Sequence, residues 1–190
     1  MTIGIVYPDS GNITSVCDAL DRLGRSYRVL REPDLDGIGQ ILLPGQGRFG
    51  AVMAYFRDHG WVPALQSWAE AGKPILGICV GMQVLFDGSD EDPGVAGLGL
   101  ISGQIIRLDA PKHPMIGWAR VHWNRDGFAG GAAYFVNSYG LSTHPDTIAT
   151  TTYGATFSVA VAQGSIIAFQ FHPEKSGVWG KELLDQCLIS

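Results

Sequence analysis

The stretch Gly77-Ile78-Cys79-Val80-Gly81 constrains this chain more than any other. It follows the apolar run 74–78 and precedes the helix-like 82–86, so a strand has to turn into a helix within a few residues. Such a turn forces its central residue into an unfavourable backbone conformation. Small residues two positions to either side are then required, because strand and helix crowd there. The apex is a cysteine, presented at the carboxyl end of a strand, where open α/β sheets bind ligands. A helix start behind Cys79 adds backbone N–H groups and a positive dipole end, both of which favour thiolate over thiol. The bland alternative is a small buried apolar residue in a tight turn.

The flanking sequence supplies the sheet. Residues 3–7, 27–30 and 41–43 read as further strands, and a polar turn, 8–12, follows the first of them. Ile13, Val16, Leu20 and Leu23 recur at helical spacing until Gly24, and 49–71 reads as helical with a break near Gly60 and Pro63. Strands alternating with helices predict an α/β fold with a mainly parallel sheet covered on both faces. After Phe86 the texture changes: 103–108, 120–123, 133–136, 147–152, 158–163 and 166–171 are short strand-like runs separated by turns. An antiparallel section is expected there, followed by a closing helix over 179–188. With 190 residues, 46% of them hydrophobic, one domain spanning 1–190 is the expectation, because the chain is short for two cores.

The charge pattern excludes several function classes. A formal net charge of -5 gives no basic footprint for nucleic acid, and no Lys or Arg run suggests a membrane surface. The N-terminus has no secretory pattern and no apolar run is long enough to span a bilayer, so a cytoplasmic location is expected. Three cysteines, Cys17, Cys79 and Cys187, are odd in number and far apart, with neither metal-ligand spacing nor a disulfide framework. Cys17 and Cys187 fall on predicted helical faces that want a small apolar residue, and alanine at either position is expected to leave chemistry intact.

A nucleophilic thiol needs a proton acceptor. His172 ends the run 166–171 and is followed by Pro173, which stops the strand, and by Glu174, which can reach back to the imidazole. A carboxylate so placed fixes the tautomer and stabilises the imidazolium. His59, His113, His122 and His144 lack that context and read as solvent-exposed or packing residues. Acyl transfer also needs donors for an oxyanion: the N–H of Val80 is one, and the turn Pro44-Gly45-Gln46-Gly47 offers backbone without side chains in the way. That turn could instead be an ordinary one, or hold phosphate, but the Lys-Ser/Thr of a phosphate-binding loop is missing.

Four segments in this order, LPGQGRF (43–49), GICVGMQVLF (77–86), YFVNSY (134–139) and FHPEKSG (171–177), resemble the class I glutamine amidotransferases, most closely the HisH-type subunits. The likeness runs from Ser10-Gly11-Asn12 to the closing helix. It implies the flavodoxin-like three-layer fold of that family and a cysteine-dependent glutaminase in which Cys79 attacks the carboxamide of L-glutamine. His172 then handles the proton, and Glu174 holds His172. By the same match Gly47 and Val80 look like the oxyanion donors, and Gln83, Glu91, Ser138 and Tyr139 resemble the glutamine-binding positions. The resemblance also implies that the ammonia is used elsewhere, in a HisF-like (β/α)₈ cyclase subunit of a heterodimer, with Asn12, Trp118, Tyr134 and Lys175 resembling face residues. No metal or organic cofactor is expected, since thiolate, imidazole and backbone donors cover amide hydrolysis.

The likeness has departures. Gln46 stands where valine is common, in a turn that must flip to complete the oxyanion site. Met115-Ile116-Gly117-Trp118-Ala119 replaces the usual His-Met-Gly-Trp-Asn, and Asn137 replaces the usual histidine before Ser138-Tyr139. These motivate a second expectation, a paralogue feeding an amidotransferase that modifies a sugar, as in surface-polysaccharide pathways. A third, a binding protein that lost turnover, finds no support in the catalytic trio.

Overall fold

The computed structural model describes residues 1–7 and 13–189; the predicted turn 8–12, with Asn12, lies outside the described residues. The first half of the chain forms β1 (Thr2–Val6), α1 (Thr14–Arg22), β2 (Tyr27–Leu30), β3 (Ile38–Leu43), α2 (Phe49–Asp58), α3 (Trp61–Glu70), β4 (Ile75–Ile78) and α4 (Val80–Gln83). The second half forms β5 (Gly88–Ser89), β6 (Gln104–Arg107), β7 (Met115–Trp123), β8 (Gly131–Asn137), β9 (Tyr139–Leu141), β10 (Thr147–Tyr153), β11 (Ala155–Gln163) and β12 (Ile166–Phe169). A 3-10 turn (Pro173–Lys175) and α5 (Gly177–Cys187) follow. No helix among the described residues is long and apolar enough to cross a membrane.

The strand order is β2-β1-β3-β4-β12-β11-β10-β7-β8. From β2 to β12 every pairing is parallel, in the flavodoxin-like order, and from β12 to β8 every pairing is antiparallel. A side branch of β5, β6 and β9 joins at β11. The expected mainly parallel sheet with an antiparallel section is therefore present.

Side chains alternate across the parallel strands and feed two cores. Val6, Ile41, Leu43, Ile75 and Ile166 point to the face covered by α2 and α3, whose Val52, Phe56, Trp61, Leu65 and Trp68 are buried with them. Ile3, Ile5, Leu42, Leu76, Ile78 and Phe169 point to the opposite face, where α1 supplies Val16 and Leu20 and α5 supplies Leu183 and Leu184. Period-2 burial on both faces is what a strand sandwiched between helices requires. The helical stretch 49–71 breaks at Gly60 (φ 70°), as expected. Pro63 sits in the first turn of α3, where a missing N–H forfeits no intrahelical bond.

Five elements differ from expectation. The helix after Cys79 is a single turn, so it lends free N–H groups but little dipole. β7 begins at Met115 rather than 120; Gly117 and the outward-facing Ile116 and Trp118 hide the alternation there. β5 and β9 are too short to show a period. β12 ends at Phe169, although Gln170 N still donates to Val159 O at 2.9 Å.

Candidate active site

The parallel order puts β3, β4 and β12 side by side, so their carboxyl ends meet although they lie far apart in the chain. Leu43 is level with Gly77, and Phe169 with Ile78, which sets the turn 44–47, Cys79 and His172 around one point.

Cys79 adopts φ 51° and ψ -112°, and among the described residues it alone, apart from glycines, has positive φ. A conformation of this kind costs about 1–3 kcal/mol and persists only when its surroundings over-determine it. Here Cys79 N donates to Phe169 O at 2.7 Å, while Cys79 O accepts from Met82 N at 3.0 Å and Gln83 N at 3.1 Å. The flanking glycines explain the crowding. A Cβ on Gly77 would meet Gly81 O at 2.8 Å, and one on Gly81 would fall on the Leu43 carbonyl.

His172 is clamped from three sides. Its N–H donates to Tyr134 O at 3.0 Å, and its carbonyl accepts from Ser176 Oγ at 2.6 Å, which in turn accepts from Tyr134 N at 3.0 Å. Its Nδ1 bonds Glu174 Oε1 at 2.8 Å, with both side chains buried. Because a carboxylate only accepts, Nδ1 carries the hydrogen and Nε2 is left for the sulfur. Gly45 shows how close the two reactive groups lie: a Cβ there would stand 2.8 Å from both Cys79 Cβ and His172 Cε1. Burial alone would depress the basicity of His172. Hydrogen bonds and attraction from Cys79 and Glu174 outweigh it and push the pKa up to about 10, so the ring is cationic at neutral pH.

The turn 44–47 is anchored by borrowed caps. Arg48, the N-cap of α2, offers no side-chain cap; Glu91 Oε2 accepts from Phe49 N at 3.0 Å and Asp92 Oδ2 from Gly50 N at 2.8 Å instead. Burial disfavours the Asp92 charge, but hydrogen bonds from Arg48 and Gly50 N hold its carboxyl below the ordinary range. Val80 opens α4, where a helix leaves its first N–H groups without intrahelical acceptors.

A cavity of about 190 Å³ is lined by Gly47, Cys79, Val80, Gln83, Glu91, Pro114 and residues 136–139. The sequence-predicted oxyanion positions and all four predicted glutamine contacts thus stand on one wall system with the thiol. Its size suits an amino acid. A larger hollow of about 540 Å³ lies at the other end of the sheet, beside Gln66, Glu70, Gly164 and Ile166, away from Cys79.

Trp118 (58% exposed) and Tyr134 are cross-strand partners on the β7–β8 ribbon, with ring centroids 6.0 Å apart. Exposed Ile116 and Val136 extend the same face. Lys175 lies in the 3-10 turn that the Ser176 clamp holds against β8. Among the other histidines, His59 stacks on Tyr55, His122 is exposed, and His144 packs its edge on Phe86 and bonds Ser102 O. His113 is half-buried. Cys17 and Cys187 are free thiols, and burial raises the pKa of both, that of Cys187 to about 12.

Sequence reasoning missed Asp92, Gln170 and Ser176. Two departures turn out to be partners: Met115 faces Asn137 across β7 and β8. Asn137 Nδ2 donates to Tyr139 O at 3.0 Å, steadying the cavity wall.

The model of glutamine amidotransferase class-I matches residues 6–190. The chain belongs to that family, and it is a cysteine-dependent glutamine amidotransferase. "Imidazole glycerol phosphate synthase subunit HisH" of Thermus thermophilus is 42% identical over 92% of this chain and 90% of that protein. The subunit of the same name from Moorella thermoacetica is 41% identical over 96% and 91%. A crystal structure of a glutamine amidotransferase, 20% identical, superposes with a TM-score of 0.80 over 96% of both chains and shows the shared fold.

Proposed function

We propose that this chain is the glutaminase subunit of imidazole glycerol phosphate synthase, with Cys79, His172 and Glu174 as its catalytic residues. One observation carries the reading: Cys79 and Gly47 line one small cavity, and the ring of His172, bonded to Glu174, stands beside Cys79. The names of the relatives support this role, that of a histidine-biosynthesis enzyme, over the sugar-modifying alternative.

Cys79 attacks the glutamine carboxamide carbon as thiolate, the nucleophilic form of its sulfur, beside the cationic His172 ring. Negative charge develops on the carboxamide oxygen, which Val80 N–H and the turn at Gly47 stabilise. His172 Nε2 gives its proton to the nitrogen, the C–N bond breaks, and ammonia leaves a γ-glutamyl thioester on Cys79. Neutral His172 then takes a proton from water as that water attacks the thioester, and glutamate departs. Glu174 holds the ring in one tautomer throughout.

Ammonia released into neutral water is protonated and loses its nucleophilicity, so transfer to the acceptor requires a dry connection. A HisF-type (β/α)₈ cyclase supplies that acceptor site in this reading. The apolar ribbon face of Trp118, Tyr134, Ile116 and Val136, beside Lys175, is the docking surface, with Val136 also lining the cavity. Mixing the chain with a HisF-type cyclase and its nucleotide substrate tests this. Glutamine-dependent imidazole glycerol phosphate formation is expected. Glutamine cleavage that appears only with an unrelated amidotransferase partner would assign the chain to a different pathway.

A further inference from the structure

Beside the nucleophile lies a buried amide that the steps above do not use. Gln170, just past β12, has 0% exposure. Its Nε2 lies 3.7 Å from Cys79 Sγ, within hydrogen-bond range for sulfur, and its Oε1 accepts from Gln83 Nε2 at 3.0 Å. A backbone atom settles the orientation of both amides. Gln83 Nε2 also donates to the Tyr139 carbonyl at 3.1 Å, and a carbonyl can only accept, so that end of Gln83 is nitrogen. The end of Gln170 facing Gln83 is then oxygen, and the end facing the sulfur is a donor. Flipping Gln170 would set nitrogen against nitrogen and turn its oxygen towards a sulfur that, as thiolate, has no hydrogen to give.

We propose that Gln170 is a positioning residue for Cys79, donating its amide N–H to the sulfur and tying it, through Gln83, to the wall of the substrate cavity. The inference rests on Cys79 being the nucleophile. A thiol can offer its own hydrogen, here towards Val136 O at 3.9 Å, whereas a thiolate only accepts. A fixed donor on the sulfur therefore favours the charged form, and a buried donor is stronger for being out of water. The titratable groups sharing these surroundings are His172 with Glu174 behind it, and Glu91 and Tyr139 on the cavity wall. Gln170 adds a donor that does not titrate. Its contact with Gln83 also makes the nucleophile sensitive to what occupies the cavity.

The test is the alkylation rate of Cys79 by iodoacetamide in the full-length chain, followed against pH by peptide mass spectrometry. Gln170→Leu and Gln170→Met remove the donor while keeping the bulk. In either variant the midpoint of the rate profile is expected to move upward by about one pH unit, with the rate on the acid limb, below the midpoint, falling about tenfold. A folded variant whose profile superimposes on the wild type overturns the role of Gln170 alone. Wild-type Cys79 that resists the reagent at every pH overturns the nucleophile assignment as well. Should neither variant fold, the wild-type Gln170 side-chain amide protons decide by NMR. They shift on alkylation of Cys79 if they donate to its sulfur, and stay in place if they do not.

Discussion

Cys79→Ala is expected to lower glutamine-dependent turnover of the assembled complex by a factor on the order of 10⁴ or more while leaving the fold intact. The stability half of this expectation follows from the backbone. Alanine at φ 51° carries the same penalty as cysteine, because both have a Cβ and neither has a branched one. The melting temperature should therefore stay close to that of the wild type. The chemistry half follows from geometry, since no other thiol is available: Cys17 and Cys187 belong to α1 and the end of α5 and do not line the cavity. The same variant has a second readout. Cys79 is one of the two groups that raise the pKa of His172, so removing it should move the titration of that ring down from about 10. A ring that still titrates near the wild-type value would mean that sulfur and imidazole do not interact. Turnover that survives would remove Cys79 from the mechanism.

The second large effect is structural. Gly81→Ala places a methyl on the Leu43 carbonyl oxygen, with Leu43 C at 2.6 Å and Pro44 O at 2.9 Å. All three are backbone atoms at the end of β3, so relief requires moving the turn 44–47 or the elbow itself. A loss of about 3 kcal/mol or more is expected. For a chain of this size that corresponds to a fall in Tm of roughly 10 °C, measured by calorimetry. Gly130→Ala is the matched control, because a Cβ there meets nothing within 4 Å. It should change stability by less than about 0.5 kcal/mol. If Gly81→Ala melts with the control, the elbow is looser than its contacts require.

These expectations show what was legible in the sequence. The elbow was, because its demands are local: an apolar run, two glycines and a cysteine at fixed spacing announce strand, turn and helix without reference to the rest of the chain. His172 and Glu174 were legible for the same reason, being two residues apart across a proline. The meeting of the turn 44–47, Cys79 and His172 was not contained in periodicity. It arises from the order β3-β4-β12, in which β12 returns to sit beside β4 after the whole antiparallel section has been built, and only the family resemblance carried that information forward.

Contacts made through single side chains were harder still to read. Ser176 reads as an ordinary turn residue until β8 arrives to receive its clamp. Glu91 matched a glutamine-binding pattern, yet one of its oxygens also caps α2, which no motif states. Gln170 did leave a trace, as a polar residue inside the apolar run 166–171, but only the placement of Gln83 and Cys79 gives that trace a meaning. The first residues of β7 are hard to read because the exposed Ile116 and Trp118 break the polar-out rule.

A covalent bond between substrate and sulfur is the most direct test of this assignment. Acid-quenching the complex during turnover with isotope-labelled glutamine, then mapping its peptides by mass spectrometry, should find a γ-glutamyl group on Cys79 and on no other residue. Label attached elsewhere, or steady turnover with Cys79 never acylated, would contradict it.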